Sequence, residues 1–217
     1  MNRRSFSLTL SASGVGAAFA SISRAAVGQG TMPVEGRDYK LIESAQPSPA
    51  ERGKIEVLEF FSYGCPHCNA FEPTLAAWAR GLSPDVTFRR VPVPFLFNAE
   101  NFQRTYYALD AIGMVDKMQP RIYAAVHIDK QRLDKADQVA ALVSNNGGDP
   151  ARFLAAFKSF AVANAVSRAK KLTADYKIDG VPTLVIQKRY VTSPSMAGGA
   201  QQALSVAEAL IERARKA

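Results

Sequence analysis

The chain has no third cysteine. Cys65 and Cys68 are its whole complement, two residues apart, so they can pair only with each other, with a metal or with another molecule. Histidine is equally scarce, with His67 and His127 alone, and a structural zinc site wants four Cys or His ligands around the ion. Clustered basic residues with interleaved aromatics are missing too. The formal charge of +8 is spread in short pairs such as Arg89-Arg90 and Lys170-Lys171, which describes a solvated surface and argues against a nucleic-acid partner. There is no internal repeat and no low-complexity tract. The uncharged stretch Phe6 to Ala20 is too short and too rich in Ser and Gly to span a bilayer well.

That stretch has another reading. Arg3 and Arg4 precede it, and small residues follow at Ala18-Phe19-Ala20 and Ala25-Ala26, the order of a cleavable secretory signal. Residues 1–26 are therefore expected to be a signal peptide that directs export and is then removed. Arg3-Arg4-Ser5-Phe6 also fits a twin-arginine signal, and both export routes stay open. Removing Arg3, Arg4 and Arg24 with no acid lowers the formal charge from +8 to +5. With 217 residues, 47% hydrophobic and 21% charged, the remainder suits one soluble domain with a sizeable core.

Residues 27–53 hold Pro33, Pro47 and Pro49 and read as an extended lead-in, with one short strand around Tyr39 to Ile42. Ile55 to Phe61 is short, β-branched and aromatic, apolar on both faces apart from Glu56 and Glu59, the pattern of a buried central strand. Phe71, Leu75 and Trp78 then recur at helical spacing, with Pro73 inside the helix and Gly81 placed to stop it. Val86 to Val91 reads as a second strand ended by Pro92 and Pro94, completing a strand, helix, strand crossover.

From Asn98 to about Lys171 the apolar spacing is helical only. It passes through Phe102, Tyr106 and Leu109, then Met118, Ile122 and Val126, then Val139, Leu142 and Val143. Asn145 to Gly148 breaks it, Asp149-Pro150 restarts it as a cap and a first-turn proline, and Phe153, Phe157 and Phe160 carry the apolar stripe onward as a packed core. Sheet pattern resumes over Gly180 to Ile186 and near Tyr190-Val191, after a turn at Lys188-Arg189. An amphipathic helix from Ala200 to Ala214 closes the chain. The expected class is α/β, with an all-helical block inserted between strands. The boundaries are 27–97 for the first part of the α/β domain, 98–171 for the insertion and 172–217 for the second part.

Cys65-Pro66-His67-Cys68 lies where the central strand meets the first helix. At a helix N-terminus the unpaired N–H groups and the dipole favour negative charge, so a Cys65 thiolate is stabilised there. Pro66 fits the first turn without losing a hydrogen bond, and His67 can lend a hydrogen bond or positive charge. Stabilising the thiolate stabilises the dithiol against the disulfide and makes the disulfide a stronger oxidant. Three readings of the pair compete. Zinc is short of ligands, a purely structural bridge over so small a loop constrains little chain, and a redox-active pair is the third.

The run Glu59-Phe60-Phe61-Ser62-Tyr63-Gly64-Cys65-Pro66-His67-Cys68, the later Gly180-Val181-Pro182-Thr183 and the helical block between them resemble the DsbA-type thiol:disulfide oxidoreductases of the thioredoxin superfamily. The resemblance runs from about residue 37 to the end. It implies a thioredoxin fold with an inserted all-helical domain, Cys65 as the exposed nucleophile and Cys68 as the more buried resolving thiol. Pro73 matches the kinked helix of thioredoxin-like proteins. Pro182 would follow a cis bond and pack against the disulfide, leaving the Val181 backbone, with Thr183 beside it, to bind peptide. Glu59 would lie under the site and assist proton movement to and from the buried thiol; read as a plain buried acid, it needs a cation, and Arg89 or Arg90 could supply it. His127, lone and in a helix, reads as a structural or surface residue.

The function implied is a protein disulfide oxidase. It would donate the Cys65-Cys68 disulfide to reduced, unfolded exported polypeptides and be reoxidised by a membrane quinone-linked oxidase of the DsbB type, working as a monomer with no cofactor and no metal. The rivals are a reductase or isomerase, and a binding module whose disulfide is structural.

Overall fold

The computed structural model describes residues 32–42 and 54–216. The expected signal peptide and the prolines at 47 and 49 lie outside these residues. Five strands and eight helices are assigned among them: β1 (Lys40–Leu41), β2 (Ile55–Phe61), α1 (Pro66–Arg80), β3 (Val86–Pro92), α2 (Ala99–Ala111), α3 (Val115–His127), α4 (Ala136–Asn145), α5 (Pro150–Lys158), α6 (Phe160–Asp175), β4 (Thr183–Ile186), β5 (Tyr190–Thr192), α7 (Pro194–Ala197) and α8 (Ala200–Arg215).

The strands form one sheet in the order β1-β5-β4-β2-β3. β2 and β3 run parallel, and the other neighbours are antiparallel. β2 is central, which is why every residue of it except Glu56 is buried. Period-two alternation divides β2 between the two faces of the sheet. Val57 packs with Phe71 and Leu75 of α1 and with Leu204, Leu210 and Ile211 of α8. Leu58 and Phe60 pack with Ala169 of α6 and Val185 of β4. Each such aliphatic or aromatic side chain contributes about 1.5–3 kcal/mol by leaving water, so α1, α6 and α8 are held mainly by one buried stripe apiece.

The third cluster positions the site. Phe102 and Leu109 of α2, Met118 and Ile122 of α3, Val139 of α4 and Phe153 of α5 pack together, and Phe61, Tyr63, Cys65 and Cys68 join them. The two cysteines thus sit on the seam between the sheet and the helical block, not on a free edge of either.

Two expectations change. Phe160 is 80% exposed and is not part of the apolar stripe. Ser159 adopts an extended conformation and accepts a hydrogen bond from Val162 N–H, so it caps a new helix and resets the register after Phe157. The short helix α7 had no periodic signal; Ser193 caps it and Pro194 opens it. Elsewhere Asp149 caps α5 through Ala151 and Arg152 N–H, and the turn before β5 places Gln187 and Lys188 at positive φ, +49° and +54°. No helix among the described residues is long and apolar enough to cross a membrane.

Candidate active site

β2 delivers the chain at Phe61, and Ser62-Tyr63-Gly64 turn it into α1. Cys65 N–H donates to the Ser62 carbonyl (3.1 Å) and Gly64 N–H to Ser62 Oγ (3.1 Å). Gly64 is pressed against the chain before α2: a Cβ there would stand 3.1 Å from the Phe97 carbonyl oxygen, tighter than a side chain tolerates without a local shift. Cys65 is the residue that caps α1, with Pro66 in the first turn. Its Sγ accepts from Cys68 N–H at 3.3 Å, so the sulfur takes the place that a Ser or Asp oxygen fills at an ordinary helix start. Both cysteines are free thiols.

The resemblance cast Cys65 as exposed. It is only 4% exposed, against 0% for Cys68; the order is as expected, but helix α1, the helical block and the Val181 segment leave the outer sulfur a small window. Pro66 and His67 are exposed beside it. The Cys65 thiol is lowered to about 6, chiefly by its hydrogen bond with the Cys68 thiol, then by the N–H groups of Cys68 and His67 and by His67 charge, with burial opposing. Burial, with Cys65 next, pushes the Cys68 thiol far up. Two sulfurs separated by only two residues are thereby split into a thiolate and a thiol at neutral pH.

Across from them the Val181-Pro182 bond is cis, and Cys65 Sγ lies 3.4 Å from the Val181 carbonyl oxygen. Thr183 opens β4 opposite Phe60, and its Oγ1 donates to the Gly180 carbonyl (2.8 Å). Pro182 and Thr183 are buried, while Val181 is half-buried. A groove of about 1070 Å³ lies alongside, lined by His67, Val181 and Pro182 and by Ile42, Tyr176 and Met196 among others.

Beneath the cysteines Glu59 is fully buried. Arg90, not Arg89, is its partner: Arg90 Nε donates to Glu59 Oε2 (2.9 Å) and Arg90 Nη2 to Glu72 Oε1 (2.8 Å). Arg89, on the other face of β3, pairs with Glu56. Burial pushes Glu59 up to about 8 against the pull of Arg90, and burial likewise raises Glu72. One guanidinium cannot neutralise two buried carboxylates, so one proton stays with the pair near neutrality.

The sequence reading missed Glu72 and Gln119. Glu72 could have been found: it follows Cys68 by one helical turn and interrupts the buried Cys68, Phe71, Leu75 face of α1. Gln119, 1% exposed on α3, accepts a 2.6 Å hydrogen bond from the hydroxyl of Tyr63, a contact between segments 56 residues apart that no local pattern signals. His127, from the end of α3, holds the Tyr63 carbonyl at 2.8 Å and so braces the turn before Cys65.

Comparison with known proteins points the same way. Residues 56–210 match the family model described as DSBA-like thioredoxin domain. The thiol:disulfide interchange protein DsbA of Burkholderia cepacia is 38% identical over 181 residues, 83% of this chain and 85% of that protein. Its counterpart from Azotobacter vinelandii is 41% identical over 184 residues, 84% and 85%. The crystal structure of Pseudomonas aeruginosa DsbA superposes with a TM-score of 0.81 at 34% identity, over 85% of this chain and 95% of that one. The oxidoreductase DsbA from Xylella fastidiosa gives 0.79 at 31% identity, over 86% and 100%. With its Cys-Pro-His-Cys helix start, its sheet and its inserted helices, the chain belongs to the DSBA-like thioredoxin domain family, thiol:disulfide oxidoreductases built on a thioredoxin fold with a helical insertion.

Proposed function

We propose that the protein oxidises exported polypeptides in the periplasm, after a signal peptide at residues 1–26 is removed, through Cys65 as nucleophilic sulfur and Cys68 as resolving thiol. The carrying observation is the placement of the sulfurs: Cys65 Sγ caps α1 and accepts from Cys68 N–H at 3.3 Å, where its thiol is held low at about 6, and Cys68 is wholly buried, which pushes its thiol far up. In the oxidised protein a substrate thiolate attacks Cys65 Sγ, the Cys65–Cys68 bond breaks, and Cys68 leaves as a thiolate that takes a proton from Glu59. A second substrate thiolate then attacks the substrate sulfur of the mixed disulfide and expels the Cys65 thiolate. The substrate has lost two electrons and gained a disulfide, and the protein leaves as the dithiol.

At pH 7 the lowered Cys65 thiol favours the dithiol by about 1.4 kcal/mol over an unperturbed cysteine, which makes the disulfide more oxidising by ~30 mV. His67 and Pro66 support that helix start. Val181, outside the β4 ladder, and the adjoining groove suit an extended, apolar segment of unfolded polypeptide, with Pro182 and Thr183 fixing the wall. The dithiol is returned to the disulfide by a membrane quinone-linked oxidase of the DsbB type. The protein works as a monomer, and residues 98–171 form a helical domain inserted between thioredoxin-like parts at 27–97 and 172–217.

Trapping tests the assignment. In periplasmic extracts the Cys68→Ser variant should accumulate reductant-sensitive adducts with exported proteins, and Cys65→Ser should accumulate none. Adducts that form equally well through Cys68, or none with either variant, would contradict it.

A further inference from the structure

We propose that His127, the last residue of α3, is a positioning residue of the disulfide exchange: by donating to the Tyr63 carbonyl it fixes the peptide plane before Gly64, and through that plane the seat of Cys65 Sγ on the first turn of α1. This rests on the reading that Cys65 is the nucleophilic sulfur, and deepens it.

Gly64 is the soft point of the turn. Without a Cβ it tolerates backbone conformations that a larger residue refuses, so the chain itself does not choose how the Tyr63–Gly64 peptide lies. Hydrogen bonds choose instead. The N–H end of that peptide donates to Ser62 Oγ (3.1 Å), a contact within the turn. The carbonyl end points the opposite way across a trans peptide and meets His127 Nε2 at 2.8 Å, a contact from outside the turn. A carbonyl only accepts, so Nε2 carries the proton, in the neutral ring and the imidazolium alike.

The next peptide is tied as well, by Cys65 N–H to the Ser62 carbonyl (3.1 Å). Cys65 then leaves the turn in an extended conformation, φ −94° and ψ 116°, which sets Sγ against Cys68 N–H. With the His127 contact gone, the Tyr63–Gly64 peptide is free to rotate about its glycine, and Sγ leaves its seat by the Cys68 N–H and thiol for part of the time. The groups that chiefly lower the Cys65 thiol stand on Cys68 and His67, so His127 acts through the backbone and not through its charge.

The seat has a rigid backing. The Tyr63 ring is fully buried, edge-on to Phe61, Phe102 and Tyr123, and its hydroxyl donates to Gln119 (2.6 Å). Tyr123 also lies against the His127 ring, with centroids 6.0 Å apart. Gln119 and His127 are about two turns apart on α3, so one helix of the inserted block grips both ends of Tyr63, ring hydroxyl and backbone carbonyl. The block thereby positions the reactive sulfur as well as covering it.

The test is a titration of the Cys65 thiolate by its ultraviolet absorbance, with the reduction potential at pH 7, on the full chain and two variants. His127→Phe keeps a ring against Tyr123 and removes the donor. Its Cys65 midpoint should rise by about one pH unit from about 6, which leaves the dithiol about fivefold less favoured at pH 7 and the disulfide less oxidising by ~20 mV. His127→Gln places an amide N–H at the reach of Nε2 with no charge at any pH, and should keep the midpoint within about 0.3 unit of the unsubstituted protein. Equal shifts in both variants would overturn the proposal, because the ring or its charge, and not the donated hydrogen bond, would then be at work. So would unmoved midpoints, or a loss of stability in His127→Phe without a thiol shift, which marks a structural role only. A measurement that needs no folded His127 variant is 15N NMR of the ring nitrogens, with a His67→Ala spectrum to tell the two histidines apart: neutral His127 should carry its proton on Nε2, and a proton on Nδ1 instead would overturn the proposal. A Cys65 that ionises at 9.0 or above in the unsubstituted protein would overturn the functional reading instead; the tautomer and the difference between the variants judge His127 separately.

Discussion

Above the cysteines the chain presents Val181 and Pro182, and what reaches Cys65 from that side is a backbone carbonyl 3.4 Å away. Below them it buries Glu59, Glu72 and Arg90, three ionisable side chains. The wall is backbone and apolar surface, so it contributes shape that no change of pH alters. The floor is a proton shared among buried ionisable groups, so its contribution moves with pH and with any substitution that changes its charge. Cys65 answers to the helix start and the wall, whereas Cys68 faces the floor. That is how two sulfurs on one helical turn acquire such different acidities.

Breaking the floor should have the largest effect. Arg90→Met leaves two buried carboxyls without their cation, and urea unfolding at pH 7 should show a loss of about 3–5 kcal/mol, the range for removing one partner of a buried pair. A loss below about 1 kcal/mol would mean that Glu59 and Glu72 are already neutral there and the ion pairs do not form.

Glu59→Gln should act through pH. Because the folded value is raised from 4.5 to about 8, the stability associated with Glu59 is fully present below pH 4.5 and is lost as pH rises through 8. Between those limits the reduced protein should lose on the order of 2–4 kcal/mol that the variant does not. Unfolding midpoints taken across that window check it, and parallel curves for the two proteins would contradict it.

His67→Ala should have the smallest effect. His67 charge is the last of the influences that lower Cys65, so the substitution should change the reduction potential by no more than about 20 mV. A larger change would shift the credit for the low thiol from the α1 start to the imidazole.

The parts of this arrangement differ in how far they could be read from the chain. The strand, Cys-Pro-His-Cys, helix succession is local chemistry: a β-branched run, a proline suited to a first turn and an apolar 3.6-residue stripe. Pro182 was recognisable only because Gly-Val-Pro-Thr followed such a motif. Arg89 and Arg90 could not be told apart, since adjacent residues of a strand face opposite ways and the alternation of β3, with only its last two residues buried, does not announce which face is covered. The aromatic spacing that correctly placed Phe153 failed at Phe160, because one serine with extended backbone starts a new helix with its own phase. Gln119 was out of reach: its meaning depends on Tyr63, and only the packing of α3 against the start of α1 brings the two together.

The central claim is that the Cys68 thiol, and after it the N–H groups at the start of α1, make Cys65 a stabilised thiolate and its disulfide an oxidant, and the reduction potential measured beside a thiolate titration tests it most directly. Cys65 should ionise near pH 6. The stabilisation of the reduced form should be full above the unperturbed value of 9.0 and lost as pH falls through 6, and the potential at pH 7 should be more oxidising than the roughly −270 mV of thioredoxin, whose own cysteine ionises near 7, by ~20 mV. A Cys65 that ionises at 9.0 or above, with a potential at or below about −270 mV, would contradict it.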